Sequence, residues 1–195
     1  FTTPGIYTVK LTATNTAGED FEDKEDYIEV DESFQVPKLI LSPQSQVIPI
    51  GTTGKYTLSI DSLPEGLSGY NLSIALSDPA VGEIIDYSLP EWANLNSSTL
   101  SGDSLQFSGV DLARKIETGS MNVTLATVTV KGDAVGHSLM ELKVLEMDTD
   151  GGNLLQPTPV IGELHVYEPV VANFTATNLI GEASLTVQFF DQSLG

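Results

Sequence analysis

Met121-Asn122-Val123-Thr124-Leu125-Ala126-Thr127-Val128-Thr129-Val130-Lys131-Gly132 is an uninterrupted run of strand-forming residues whose parity changes halfway along. Side chains alternate across a strand with a period of two, so Met121, Val123 and Leu125 share one face while Ala126, Val128 and Val130 take the other. Two readings reconcile the halves: a β-bulge near Leu125, or a strand buried on both faces. Both place the segment within a sheet.

The same period governs the rest of the chain. Tyr7, Val9, Leu11 and Ala13 alternate with Thr8, Lys10, Thr12 and Thr14, and Asn15 to Gly18 then supply turn residues. Tyr56, Leu58 and Ile60 alternate with Thr57, Ser59 and Asp61. Leu72, Ile74 and Leu76 alternate with Ser73, Ala75 and Ser77 before Asp78-Pro79 stops the strand. Leu139 to Glu146 is apolar on both parities and reads as interior. A strand around Val160 to Tyr167 is expected, as are Phe174 and Ala176 and then Leu185, Val187 and Phe189 on strand faces flanking a Gly181 turn. Only Asp111 to Glu117 invites a short helical turn. The fold class is all-β.

Composition removes several functions. The 195 residues hold 8 Lys+Arg and 27 Asp+Glu, a net charge of −19 that repels nucleic acid and anionic lipid. Cysteine is absent, which excludes disulfides and thiol chemistry; with only His137 and His165, a multi-His metal centre is not expected. Apolar runs such as Pro169-Val170-Val171-Ala172 are far shorter than the roughly 20 residues of a membrane helix, so no membrane insertion is expected. No phosphate loop, nucleophile elbow or paired-His motif occurs, and the chain is not read as an enzyme.

Charge and proline mark the seams. Glu19 to Glu32 is densely acidic and reads as a solvated segment, with Pro37 soon after; Tyr167-Glu168-Pro169 marks a second seam. This divides the chain into residues 1–31, a linker at 32–36, a sandwich at 37–167 and a final piece at 168–195. Both ends fall in mid-motif, so the chain reads as an internal stretch of something longer. Each end piece, about 30 residues, is too small to bury a core alone.

Pro4 to Gly18 with Asp26-Tyr27-Ile28-Glu29-Val30 resembles the C-terminal half of a PKD domain, an Ig-like β-sandwich common on archaeal and bacterial cell surfaces. Ala172 to Thr177 with Gly181 to Ser193 resembles the N-terminal half of another. The family's Trp-Asp-Phe-Gly-Asp-Gly segment is missing from both, and Phe190 stands where a small polar residue is usual. Gly51 to Ile60, Tyr70-Asn71-Leu72-Ser73-Ile74-Ala75-Leu76-Ser77-Asp78-Pro79-Ala80-Val81 and Leu125 to Val130 resemble a cohesin-like domain, with Ser77 replacing the Tyr often found before Asp-Pro. That resemblance implies a jelly-roll β-sandwich related to carbohydrate-binding modules. It also implies a non-catalytic adhesive or scaffolding role at the cell surface or outside the cell, with an extracellular protein, dockerin-like and calcium-loaded, or a polysaccharide as partner. The two PKD-like halves, each with an apolar face lacking a partner, are expected to pair within or between chains.

Candidate sites have ordinary readings beside functional ones. Asp148, Asp150 and Asn153, in Asp148-Thr149-Asp150-Gly151-Gly152-Asn153, supply oxygens suited to a weak calcium site, or form a simple Asp/Gly turn; the spacing lacks the terminal Glu of an EF-type loop. No other cofactor is implied. Trp92 could stack on a sugar ring or be buried in the core. Asn71, Asn96, Asn122 and Asn173 each open an Asn-x-Ser/Thr sequon, the N-glycosylation acceptor of secreted proteins, with Asn96 in a loop-like stretch and Asn71 and Asn122 pointing outward. His137 and His165 are read as surface or strand residues without a role.

Overall fold

In the computed structural model, which describes residues 5–30 and 36–195, Leu125 is a bulge. Thr124 pairs with Ser59 and Ala126 with Leu58, leaving Leu125 with no partner on that strand. The extra residue lets Val123, Leu125, Ala126, Val128 and Val130 all enter the core despite their mixed parity. Met121 does not join them and is exposed. Asn122 separates it from the regular strand with a φ of 50° or so (52°), a left-handed conformation that Asn tolerates and that breaks the alternation.

The chain divides into two compact units, Phe1–Val36 and Pro37–Gly195. In the first, β1 (Gly5–Asn15) and β2 (Gly18–Val30) form an antiparallel hairpin, its turn closed by Asn15 Oδ1 accepting from the Ala17 amide. The acidic run therefore lies on a strand, exposed along most of its length. Lys10 lies over the Phe21 ring at 3.7 Å, and Lys24 over Tyr27 at 4.8 Å. The linker expected at 32–36 lies, apart from Val36, outside the described residues, as do Phe1 to Pro4 and Asp31 of the expected first segment.

The second unit begins with β3 (Lys38–Ser42), β4 (Ser45–Pro49), β5 (Thr53–Leu63), β6 (Gly69–Leu76) and β7 (Gly82–Ser88). It continues with β8 (Leu95–Leu100), β9 (Ser104–Val110), β10 (Ser120–Gly132), β11 (Gly136–Asp148), β12 (Thr158–Val160) and β13 (Gly162–Tyr167). A separate two-stranded sheet, β14 (Phe174–Thr177) with β15 (Gln188–Asp191), follows. Leu185 and Val187 lie outside β15, so the last strand is shorter than the alternation suggests. Residues 111–117 contain turns and no helix: the Asp111 carboxylate accepts from the Ile116 amide at 2.6 Å and closes the segment as a loop. No helix among the described residues is long and apolar enough to cross a membrane.

Two sheets make the sandwich, with strand orders β12-β3-β5-β10-β7 and β4-β13-β11-β6-β9-β8. Most neighbours are antiparallel, while β12 runs parallel to β3 and β4 to β13. Leu39, Leu41, Leu58, Ile60 and Ile84 from the first sheet meet Leu72, Ile74, Leu105, Phe107, Met140 and Leu164 from the second in one buried core. A second bulge lies at Leu145, skipped between Val144 and Glu146, and returns Met147 to the core opposite Tyr70. The Leu139 to Glu146 stretch is accordingly one-sided, with Met140 and Leu142 buried and Lys143 and Leu145 exposed.

Two tyrosines cross the interior. Tyr70 on β6 donates to the carbonyl of the bulged Leu125 at 2.9 Å, and Tyr56 on β5 donates to the Glu163 carbonyl on β13 at 2.6 Å. A bulge turns a backbone carbonyl away from the ladder, and an unpaired carbonyl in an apolar interior is costly; the Tyr70 phenol removes that penalty at Leu125, and both tyrosine rings fill the core. Burial pushes the pKa of both phenols well above the ordinary value near 10, the Glu163 carboxylate adding to the effect on Tyr56.

Two outcomes follow. Tyr70→Phe keeps the ring but leaves the Leu125 carbonyl unsatisfied, and urea unfolding will show a loss of about 1–3 kcal/mol. Because the folded state holds both phenolic protons where the unfolded chain gives them up, the stabilisation they provide is complete below about pH 10 and is lost as pH rises above it. An alkaline titration followed at 295 nm will show two of the six tyrosines ionising only as the protein unfolds.

Candidate functional site

The three adjacent strands β6, β9 and β8 contain no charged residue, although 18% of the chain is charged. On β6 and β9 the alternation sends Tyr70, Leu72, Ile74, Leu105 and Phe107 into the core and Asn71, Ser73, Gln106 and Ser108 outward, while on β8 Ser97 and Thr99 lie on the outer side beside exposed Leu95. Pairing then aligns the polar residues in two rows: Ser97, Ser108 and Asn71 in one, Thr99, Gln106 and Ser73 in the other. Gln106 Nε2 donates to Asn71 Oδ1 at 3.3 Å, and Ser108 Oγ donates to the Ser97 carbonyl. Asn71, Ser97, Thr99, Gln106 and Ser108 of these rows line a shallow depression of ≈ 200 Å³. Lys143 continues the second row on β11.

Gly109 keeps the inner side of this region flat. A Cβ there would come within 2.8 Å of the Tyr70 ring and of Ala93, so only hydrogen fits between β9 and the packed aromatics. Tyr70 in turn stands edge-on to Phe107 and Trp92, with ring centroids 5.9 and 5.8 Å apart. β8 closes the sheet on this side and is exposed along its whole length; a hydrogen bond between Ser98 and the Tyr87 hydroxyl of the other sheet anchors it. The outward side of the five-stranded sheet is different in kind. There Lys131 bonds Asp133 at 2.6 Å and Glu83 at 3.3 Å, contacts that raise its pKa, the Asp133 bond most.

The residues singled out from sequence are spread over several places. Asp148, Asp150 and Asn153 lie on one turn, in which the Thr149 amide donates to the Asn153 carbonyl and the Gly152 amide to the Thr149 carbonyl. Asn153 Nδ2 and Thr149 Oγ1 both donate to Glu65 Oε2, at 3.0 and 3.2 Å. Asp150 abuts Gly66, whose φ of +73° no bulkier residue adopts easily. Trp92 is half-buried against the core, its indole N–H donating to the Thr124 carbonyl at 3.2 Å. Asn71 stands in the outer polar row. Asn96 lies on β8 rather than in a loop, on the opposite side of the strand from Ser97, and its amide donates to the Ala93 carbonyl. Asn122 and Asn173 are exposed.

Sequence reading gives no role to a group that the fold assembles. His137 on β11 and His165 on β13 are direct cross-strand partners, and Glu163 lies two residues before His165 on the same side. The histidines are 28 positions apart and belong to no spacing motif; only the strand register brings them together.

No protein-family model matches the chain, and no curated protein sequence matches it. Several solved structures do. A non-cellulosomal cohesin from the hyperthermophilic archaeon Archaeoglobus fulgidus superposes with a TM-score of 0.56 at 14% identity, covering 69% of this chain and 93% of that one. Two type I cohesin–dockerin complexes from Clostridium thermocellum also match. The OlpA complex does so with a TM-score of 0.56 at 12% identity, covering 68% of this chain and 100% of that chain. For the OlpC complex the values are 0.57 and 14%, with 73% of this chain and 100% of that chain covered. At these identities the likeness is one of fold, and the chain carries a cohesin-type jelly-roll β-sandwich.

Proposed function

We propose that this chain is a non-catalytic docking module of a secreted or surface-anchored modular protein. It takes a dockerin-like protein partner on the outer face of β8, β9 and β6. The observation that carries this reading is the uncharged polar face on a strongly acidic molecule. Hydroxyl and amide groups are cheaper to desolvate than carboxylates, and short side chains present a flat surface with little rotamer entropy to lose. The free edge of β8 adds unpaired backbone groups. Support also comes from matched cohesins that occur in complexes with dockerins.

The terminal hairpins fit the same modular picture as halves of neighbouring PKD-type sandwiches. Ile6, Leu11 and Phe21 on β1 and β2, and Phe174 and Phe189 on β14 and β15, are exposed apolar residues of the kind a complementary half covers.

Immobilised protein, exposed to secreted proteins of the source organism, will capture dockerin-bearing chains in the presence of calcium and release them on chelation. Ser108→Arg places a long cation in the middle of the face. It will weaken capture at least about tenfold without lowering the melting temperature, whereas capture indifferent to the substitution sinks the reading. The same face requires Asn71 to be bare in the working protein. Glycopeptide mass spectrometry of natively produced material will find Asn71 unmodified, and a glycan there would count against docking on this side.

A further inference from the structure

We propose that His137, His165 and Glu163 form a binding site for a divalent first-row transition-metal ion of the zinc class. The site lies on the outer side of the six-stranded sheet, on β11 and β13, and the proposal is independent of the docking reading.

The geometry starts from the ladder. His137 and His165 face each other across the antiparallel pair, and their rings stand 4.4 Å apart between centroids, inclined by 36°. Glu163 shares their side of the sheet because it lies two residues from His165. His165 Nε2 and Glu163 Oε2 are 3.3 Å apart. A tetrahedral ion with bonds of 2.0–2.1 Å separates its ligand atoms by roughly 3.3 Å, so this pair already spans one edge of the polyhedron. One ligand atom from each of the three residues lies within 4.8 Å of the others, so binding draws the three together by side-chain rotation on the open side of the sheet.

The frame beneath is stiff where the side chains are free to adjust. β13 is held between β4 and β11. The Glu163 carbonyl accepts from buried Tyr56, and its amide donates to the Gln44 carbonyl. The main chain of the carboxylate ligand is thus fixed on both sides, and strands give more exact sites than loops do. Two imidazoles and one carboxylate favour zinc, copper, nickel or cobalt over calcium and magnesium, which take oxygen donors. Three protein ligands leave a fourth position for water or for a group from another molecule.

The test is calorimetric titration of zinc chloride into the full chain with millimolar calcium present, so that the acidic surface is already occupied by the harder ion. One saturable site per chain is expected. His137→Ala and His165→Ala will each weaken it by at least about tenfold, and Glu163→Gln will weaken it as well. Cobalt(II) will give the visible absorption bands of a four-coordinate site in the parent protein and not in the double variant His137→Ala/His165→Ala. Thermal unfolding of the metal-free variants shows whether the sandwich is intact, as expected for solvent-accessible rings. No saturable zinc binding up to millimolar ion, or binding equally tight in a folded double variant, overturns the site.

Discussion

Much of this structure depends on one hydrogen bond inside an apolar interior, from the Tyr70 hydroxyl to the carbonyl of Leu125. A bulge solves a packing problem, bringing Leu125 and Ala126 to the same core, but it creates an electrostatic one by withdrawing a carbonyl from the ladder. Tyr70 resolves it from the opposite sheet. The same ring supports Phe107 and Trp92 and sets the tight space that admits only glycine at position 109. The bulge, the aromatic cluster and the glycine at position 109 are thus tied together by a single cross-sheet contact.

The sandwich was legible wherever one side of a strand is wet. Tyr56 to Ile60 and Leu72 to Leu76 alternate cleanly, and their inner residues are buried as the period requires. The Leu125 bulge could be anticipated because parity shifts inside an unbroken strand. The bulge at Leu145 could not, because apolar residues occupy both parities there and the register has nothing to distinguish them. β8 escaped recognition as a strand since Leu95 to Leu100 is an edge, exposed throughout, and an edge strand has no core to impose a period. A helical turn at Asp111 to Glu117 looked plausible from local composition, but the buried Asp111 carboxylate binds the Ile116 amide and ties the loop to itself.

The two proposed surfaces were less visible, for a related reason. The outer rows of Ser, Thr, Asn and Gln are unremarkable along the chain; they become a surface only when β6, β9 and β8 are laid side by side. His137 and His165 are the extreme case. Sequence can report that two histidines are too few for a multi-His centre, but not that the register places them opposite one another with a carboxylate beside them. Pairing of distant strands is information that periodicity does not contain.

The lack of ionised groups on β6, β8 and β9 has a consequence for the surroundings in which such a surface can operate. Attraction between opposite charges fades as dissolved ions accumulate, whereas contacts between amides, hydroxyls and backbone edges are almost blind to them. A molecule whose remaining exterior is rich in carboxylates stays hydrated in brine, and docking of the kind proposed on its neutral patch would depend little on whether the surroundings are fresh water or a salt lake.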